Sequence, residues 1–220
     1  MSKGGLGTGM LVKLTVNTFL TLNGVMQAPG SVEEDPSGGF TGGGWLTPHA
    51  DPDLEQIVSE WYGMADALLL GRHTYDMMQP YWEEANDPGD FIARALNGLP
   101  KYLVSTTMPP VPWHNTHLLH GELVSSVERV KSLPGGEVQV HGSYQLVQAL
   151  AAAGLVDAYR LLIFPVVVGR GKRLFEDIRE AASYSISRPQ TTRAGAISVT
   201  LHPKVLPAGP VSDAGSEFSL

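Results

Sequence analysis

The pattern of apolar and polar residues predicts an α/β protein. Short aliphatic and β-branched runs alternate with stretches in which apolar residues recur every three or four positions. The first pattern is typical of strands and the second of amphipathic helices. Strands are predicted at residues 11–20, 68–70, 102–105, 116–120, 138–141 and 157–168, and helices at 51–64, 74–79, 90–97, 123–131 and 143–153. This alternation favours a mostly parallel sheet with helices on both faces.

The pattern changes after residue 175. Residues 183–187 and 196–202 alternate without a helical stretch between them, which predicts antiparallel strands that close the sheet. Pro165 interrupts the apolar strand at 157–168, so we expect a bulge or an edge position there.

Length and composition indicate one domain. The 220 residues, 43% hydrophobic and 17% charged, suffice for one substantial core. We expect a flexible segment at residues 1–10, a domain at 11–203 and a disordered tail, rich in Pro, Gly, Ser and Asp, at 204–220. The loop that precedes Pro48 is long enough to indicate binding or covering of a ligand, with simple mobility as the alternative.

Charge excludes some classes of partner. The chain has 15 basic and 22 acidic residues and a formal charge of −7, which argues against nucleic-acid binding. Lys13, Asn17 and several Thr interrupt the first apolar stretch, so it predicts neither a signal peptide nor a membrane span. We therefore expect a cytoplasmic protein with no nucleic-acid and no membrane partner.

The residue types give little support for a metal site. The chain has no Cys, which excludes disulfides, thiolate ligands and a Cys nucleophile. His114, His117 and His120 recur every third residue, but a strand would splay their side chains and no acidic residue is adjacent. We predict no metal, and place these histidines at a surface or an interface.

An anion site is predicted where the strand at 138–141 meets the next helix. The β-branched run ends at His141 and Gly142, and the helical pattern begins at Ser143. The first turn of a helix has unpaired N–H groups and partial positive charge, which suit a phosphate. Gly142 permits close approach to the main chain, and the Ser143 hydroxyl could cap the helix or bind a phosphate oxygen. A capped helix without a ligand is the alternative.

Two more strand ends carry groups that suit anions. Gly71, Arg72 and Thr74 follow an apolar strand, and a guanidinium beside a hydroxyl suits a phosphate monoester or a pyrophosphate. Ser105 and Thr106 follow the next strand. Ordinary turns and caps are the alternative for each. If the three strand ends converge on one groove, they could hold the phosphates of a dinucleotide.

Five segments in order resemble the dihydrofolate-reductase-like family, most closely the branch related to the C-terminal reductase domain of riboflavin-biosynthesis deaminase-reductases. They are TLNG at 21–24, LLGRHTY at 69–75, PKYLVSTT at 100–107, VHGSYQLVQAL at 140–150, and GLVD at 154–157 with PVVVGRGKRLF at 165–175. The resemblance covers residues 11–202. It implies a three-layer α/β fold with a mixed, mostly parallel central sheet, antiparallel C-terminal strands and helices on both faces.

The resemblance also implies NADPH as cofactor and hydride transfer to a small heterocyclic, carbonyl or imine substrate, pterin-like or riboflavin-precursor-like. Gly71, Arg72 and Thr74 match contacts to the adenosine phosphate, flanked by Ser105 and Thr106, and Arg72 favours NADPH over NADH. Asn23 and Gly24 match the loop beside the nicotinamide. The family's pyrophosphate-binding turn and the start of the helix after it correspond to Gly142, Ser143, Tyr144, Gln145 and Leu146. His141 slightly narrows the approach of the pyrophosphate to this turn.

Reduction also needs a proton. The resemblance implies Glu55 as the catalytic acid, because it precedes Gly71 by about the interval that separates the substrate-binding acid of dihydrofolate reductase from the matching Gly. Asp53 is a second candidate for this role. The alternative for either residue is an exposed carboxylate in the first helical turn that only complements the helix dipole. Asp157 is interpreted as structural. Four aromatic residues could stack on a flat ring or fill the core: Trp45, Trp61, Tyr81 and Trp82.

The substrate and the activity stay open at this stage. The helix at 51–64 lacks the His- and Arg-rich face expected for a ribose phosphate, which disfavours the riboflavin precursor itself. A non-catalytic nucleotide-binding relative and a nucleotide-phosphate hydrolase are the alternatives to a reductase. A homodimer is expected because relatives are commonly dimers and because the strand with Pro165 could lie at an exposed edge.

Overall fold

A computed structural model describes residues 11–85, 87–176 and 181–204. The strands of this part of the chain form one mixed sheet in the order β4-β3-β2-β5-β1-β6-β8-β7. Six strands are parallel: β1 (Lys13–Thr21), β2 (Ala67–Gly71), β3 (Lys101–Val104), β4 (Thr116–Leu119), β5 (Glu137–His141) and β6 (Ala158–Phe164). The last two, β7 (Ser183–Thr191) and β8 (Ile197–Lys204), pair antiparallel, and β8 also pairs antiparallel with β6.

Within the described residues, five α-helices cover the two faces of the sheet: α1 (Pro52–Gly63), α2 (Arg72–Trp82), α3 (Phe91–Gly98), α4 (Leu123–Lys131) and α5 (Tyr144–Ala152). Helices α1, α2 and α3 pack on one face, through an aromatic-rich core that includes Trp61 and Tyr75. Helices α4 and α5 pack on the other face, against an aliphatic core that includes Val138 and Val140. The three-layer dihydrofolate-reductase-like fold is therefore confirmed.

Side-chain caps explain where several helices begin. The Asp51 carboxylate accepts a hydrogen bond from Leu54 N (2.8 Å), and Asp90 accepts one from Ala93 N (2.9 Å). Glu122 accepts hydrogen bonds from the first turn of α4. Each carboxylate pairs an N–H group that has no partner within the helix and also complements the helix dipole.

The expectation for Pro165 is wrong. Strand β6 ends at Phe164, before the proline, and it lies between β1 and β8 rather than at an edge. The edge strands are β4 and β7, and the irregular backbone is in β7, where Arg188 has φ +51°. The strand before Pro165 therefore offers no exposed edge for the expected homodimer.

The ends of the chain match the expected domain only in part. Strand β8 runs through Pro203 to Lys204, one residue into the predicted tail. The predicted flexible segment at 1–10 and the remainder of the tail at 205–220 lie outside the described residues. Within the described ranges, none of the helices has both the length and the apolar character needed to cross a bilayer.

The long segment between β1 and α1 is packed against the domain. Trp45 is 6% exposed, and its indole Nε1 donates to Gln27 O at 2.8 Å. The Gln27 amide donates in turn to the carbonyls of Asp35 and Ser37. These contacts fix residues 26–37 as a wall above the carboxyl ends of the parallel strands.

A buried polar strip crosses the sheet beneath α1. Arg160 on β6 forms a two-pronged ion pair with Glu137 on β5, and the two side chains are only 13% and 10% exposed. Thr15 on β1 donates to the same carboxylate at 3.0 Å, as does Gln139 at 2.5 Å. Because both charges are shielded from water, each depends on its partner for compensation.

Removing one partner of this pair should be costly. Arg160→Met leaves the Glu137 carboxylate buried without its cation, and we expect a loss of about 3 kcal/mol in the free energy of unfolding by urea. The double variant Glu137→Gln/Arg160→Met should be more stable than Arg160→Met alone, because no buried charge remains unpaired. A double variant that is less stable than Arg160→Met would contradict this account.

Candidate active site

A crevice opens between the carboxyl ends of β2 and β5. These strands are neighbours in the sheet, but α2 continues from β2 on one face and α5 from β5 on the other. Ligands of open α/β sheets bind where neighbouring connections diverge in this way. The crevice is a cavity of about 640 Å³, here called the β2–β5 cleft. Eight of the predicted cofactor residues line it: Gly71, Arg72, Thr74, Gly142, Ser143, Tyr144, Gln145 and Leu146.

Two hydrogen bonds lock the floor of the cleft. Gly71 N donates to Ser143 Oγ (3.0 Å), and Ser143 N donates to Thr74 Oγ1 (2.9 Å). The Ser143 hydroxyl therefore joins β2 to β5 and does not cap α5, which corrects the expected cap. Helix α5 begins without a side-chain cap, and the partial positive charge of its N-terminus lies at the cleft, where it suits an anion.

The turn into α5 needs unusual backbone. Gly142 and Ser143 have φ of +59° and +55°. A Cβ on Gly142 would lie 3.3 Å from Thr74 Cγ2, closer than ordinary van der Waals contact. Glycine is therefore required at position 142 by both its backbone and its neighbour.

Arg72 lies at the mouth of the cleft in a fixed orientation. Its Nε donates to both Asp76 carboxylate oxygens (2.8 and 2.7 Å), and its Nη1 donates to Thr107 O (3.2 Å) and Oγ1 (3.3 Å). The side chain remains 36% exposed. A guanidinium held in this way can still offer Nη2 to an anion at the mouth.

Ser105 and Thr106 do not line the cleft, although Val104 immediately before them does. Ser105 Oγ accepts a hydrogen bond from Thr107 N (3.3 Å). The pair therefore belongs to the turn that supports Arg72 through Thr107.

A second cavity of about 940 Å³ adjoins the cleft and is here called the α1–α2 cavity. Its walls are largely apolar and aromatic, and they come from β1, α1, α2, α3 and the segment before α1. These walls include Phe19, Leu54, Val58, Tyr62, Met77, Met78, Tyr81, Trp82 and Ile92. Two of the four predicted stacking residues, Tyr81 and Trp82, are thus at the cavity. The other two are core residues, since Trp45 packs on Phe164 (5.7 Å between ring centroids) and Trp61 on Phe19 (6.2 Å).

Five residues line both cavities: Met26, Glu34, Thr74, Met77 and Gly142. Glu34 is the acidic member of this junction. Its Oε2 accepts hydrogen bonds from Gly30 N (2.6 Å) and Ser31 N (3.3 Å), and burial raises the pKa of its carboxyl. Sequence reasoning missed Glu34, because only the folded loop brings it to the strand ends.

His141 faces the α1–α2 cavity and does not narrow the cleft as expected. Its ring stacks on Tyr62 at 4.4 Å between centroids, and its Nε2 lies 2.9 Å from Gln139 Oε1. Burial, helped by the charge of Arg160, lowers the pKa of His141 to about 3. The imidazole is therefore neutral at neutral pH.

The acidic residues around α1 have different positions. Glu55 is exposed and lines the α1–α2 cavity. Asp53 points elsewhere, since it accepts from Arg193 N (2.9 Å) and pairs with its guanidinium (3.2 Å). Asp157 accepts from Leu14 N (2.7 Å) and pairs with Lys131 (2.5 Å), in line with a structural role.

Asn23 and Gly24 lie outside the linings of both cavities. The Asn23 amide donates to Val168 O at 2.6 Å and accepts from Thr21 Oγ1 at 2.8 Å. Arg173 Nε donates to Asn23 O at 3.1 Å. Asn23 therefore joins the turn after β1 to the Gly-rich segment after β6.

Lys172 is a cleft residue that sequence reasoning did not single out. Its Nζ pairs with Asp35 (2.6 Å) and donates to Ser37 Oγ (2.7 Å). It lies within the PVVVGRGKRLF segment, so its place in that motif was the available signal. Its partners come from a loop more than 130 residues away, which no local pattern shows.

The three regularly spaced histidines do not converge. His117 lies on β4 and contacts Asn115, while the main-chain carbonyls of His114 and His120 accept from Lys101 and Ser126. Over the described ranges, no three His, Asp or Glu side chains are grouped so as to hold a metal ion.

Comparison with known proteins agrees with this fold. Residues 12–195 match the RibD C-terminal domain family, so the chain belongs to that family, whose members are reductases or reductase-like. It is also similar to the uncharacterised protein YyaP of Bacillus subtilis (strain 168), with 26% identity over 154 residues, covering 69% of this chain and 80% of YyaP. The resemblance stated from the sequence motifs is confirmed.

Solved structures share the fold at low identity. A protein assigned to riboflavin biosynthesis in Shewanella sp. PV-4 matches with a TM-score of 0.66 and 22% identity, over 88% of this chain and 100% of that one. Dihydrofolate reductase from Enterococcus faecalis, solved in complex with NADP(H), matches with a TM-score of 0.56 and 14% identity, over 88% of this chain and 97% of the enzyme.

His141 should make stability fall in acid. Its pKa is about 3 in the folded protein and 6.5 in the reference state, so between these values the unfolded chain binds the extra proton. Stability from this group is complete above pH 6.5 and decreases toward pH 3, by at most about 1.4 kcal/mol per pH unit. In urea titrations from pH 7 to pH 5, the wild type should lose about 2 kcal/mol more than His141→Gln.

His73→Gln, at an exposed position on α2, is the matched control for this titration and should follow the wild type. An acid dependence of His141→Gln equal to that of the wild type would show that His141 takes up its proton equally in the folded and unfolded states.

Proposed function

We propose that this protein is an NADPH-dependent reductase of a small heterocyclic, carbonyl or imine substrate. The observation that carries the proposal is that the β2–β5 cleft and the α1–α2 cavity are adjoining and differ in chemical character. The β2–β5 cleft, with its cations and helix N-termini, opens into the apolar α1–α2 cavity through five shared residues. A dinucleotide that lies in the cleft would present its nicotinamide end to a substrate in the cavity.

The cleft has the chemistry that a dinucleotide requires. Arg72 and the N-termini of α2 and α5 supply positive charge and N–H donors for phosphates. Gly142 lets a pyrophosphate approach the backbone, and Tyr144, Gln145 and Leu146 supply the first turn of α5. Ser105 and Thr106 follow the cleft residue Val104, which supports an outer contact for them. Bound NADPH would supply the hydride.

The proton that reduction consumes can come from a carboxyl group at the cavity. Glu55 lines the cavity from α1, as expected for the predicted acid, but it is exposed. Glu34 lies at the junction, where burial raises the pKa of its carboxyl. A raised pKa favours the protonated form that a proton donor needs, so Glu34 joins Glu55 as a candidate acid.

Arg72→Gln should separate the two nicotinamide cofactors. Loss of the guanidinium should weaken NADPH binding by about tenfold, because a charge-assisted contact to the additional phosphate is removed. NADH, which lacks that phosphate, should bind nearly as before. Calorimetric titration of both cofactors measures the two changes.

Arg94→Gln is the matched control, since Arg94 lies on α3 outside both cavities and its guanidinium donates to Pro88 O. It should bind both cofactors like the wild type. Equal weakening of NADPH and NADH by Arg72→Gln would contradict recognition of the additional phosphate and favour a role in folding of the cleft mouth.

Turnover distinguishes a reductase from a nucleotide-binding relative without activity. A reductase should consume NADPH when pterin, pyrimidine or small imine compounds are added, seen as loss of absorbance of the reduced nicotinamide. Binding of NADPH without consumption across the panel would favour the non-catalytic alternative. Release of phosphate from NADPH without its oxidation would favour the hydrolase.

A further inference from the structure

The two cavities differ sharply in the charge of their linings. The β2–β5 cleft contains the cations Arg72 and Lys172 beside the carboxylates Glu34 and Asp35. Among the described residues that line the α1–α2 cavity, none is Lys or Arg, whereas Glu34, Asp51 and Glu55 are carboxylates. Lys and Arg side chains therefore line the cleft but not the described wall of the α1–α2 cavity.

Two of these three carboxylates are available to a ligand. Both Asp51 oxygens are occupied, since Oδ1 accepts from Leu54 N (2.8 Å) and Oδ2 from Ala194 N (2.7 Å). Glu34 uses Oε2 for the loop backbone, which leaves Oε1 as an acceptor at the junction. Glu55 is exposed at the cavity wall.

The basic side chains at the cavity floor, Arg160 and His141, do not offset these carboxylates. Arg160 lies beneath the floor, where its guanidinium pairs with Glu137 and contacts Asn17 Oδ1 at 3.5 Å. His141 is neutral, because burial lowers its pKa to about 3. A phosphate group placed in the cavity would thus lose hydration without gaining a cation, and would approach like charges.

The remaining walls suit a flat ring. Phe19, Tyr62, Tyr81 and Trp82 contribute aromatic surface, and the stacked pair of Tyr62 and His141 presents a rigid planar unit. Planar heterocycles bind well between such surfaces when a few polar groups fix their orientation. A carboxylate acceptor at one end selects ligand N–H groups.

We propose that the α1–α2 cavity binds a planar, neutral or cationic heterocycle without a phosphate group, whose N–H groups donate to Glu34 at the junction. This inference rests on the proposed function for the order of the two ligands. It assigns to this chain a substrate class different from a ribose phosphate, because the cation needed to hold the phosphate is missing from the described lining.

A matched pair of probes tests the substrate class. The probes are 5-amino-6-ribitylaminouracil and its 5′-phosphate, which share the ring and differ in the phosphate. Each is titrated by calorimetry into the full chain saturated with NADPH, because the ribityl side chain is already reduced and accepts no hydride from this cofactor. We expect the unphosphorylated probe to bind at least about tenfold more tightly.

Charge-removing variants test the cause of this preference. Glu34→Gln/Glu55→Gln should reduce the preference by about threefold or more, because it removes the repulsion of the phosphate. Loss of the acceptor for the shared ring should weaken both probes alike. Glu60→Gln is the matched control, because Glu60 lies on α1 outside the cavity, where it pairs with Gln56. It should keep the wild-type preference. If the double variant does not fold, Glu55→Gln alone should reduce the preference.

Three outcomes overturn the inference: equal or tighter binding of the phosphorylated probe, no binding of the unphosphorylated probe, or an unchanged preference in a folded variant that lacks Glu34 and Glu55. NADPH binding is measured first, without either probe. If the chain does not bind NADPH in this first measurement, the proposed reductase is rejected. If it binds NADPH but prefers the phosphorylated probe, only the substrate class is rejected.

Discussion

The site depends on the hydrogen bonds that join the ends of β2 and β5. Gly71 N and Thr74 Oγ1 both contact Ser143, and this contact holds two strand ends together that are about seventy residues apart in sequence. Ser143 keeps a left-handed backbone to reach both partners, a conformation that survives only where neighbours enforce it. Because α2 and α5 begin at these residues, the same contact sets the direction in which both helix N-termini point.

Beneath the site, the sheet carries polar groups where an apolar core would be simpler. The ion pair of Glu137 and Arg160 continues through Gln139 to Asn17 and His141, and it ends at the floor of the α1–α2 cavity. Every member has a partner, so the strip avoids the cost of an unpaired buried group. The network also fixes the His141 ring against Tyr62, which gives the cavity a rigid polar corner.

Two loops complete the walls, and each depends on the other. Lys172 in the segment after β6 pairs with Asp35, and its main-chain N donates to Gln27 Oε1 at 3.0 Å. Asn23 makes a second connection through Val168. These contacts place Met26 and Glu34 over the strand ends, where the two cavities meet. The loop before α1 is therefore part of the site, and the Lys172 ammonium group holds it in place through Asp35 and Ser37.

The sequence by itself determined the strands, the helices and the turns that line the β2–β5 cleft, because apolar periodicity, glycine and helix caps are local signals. It thus identified Gly71, Arg72, Thr74 and the turn from Gly142 to Leu146. Only the tertiary structure decided that β6 is interior, that Ser143 joins β2 instead of capping α5, and that Glu34 and Lys172 reach the cleft. These facts depend on strand order and on contacts across more than seventy residues, about which local composition carries no information.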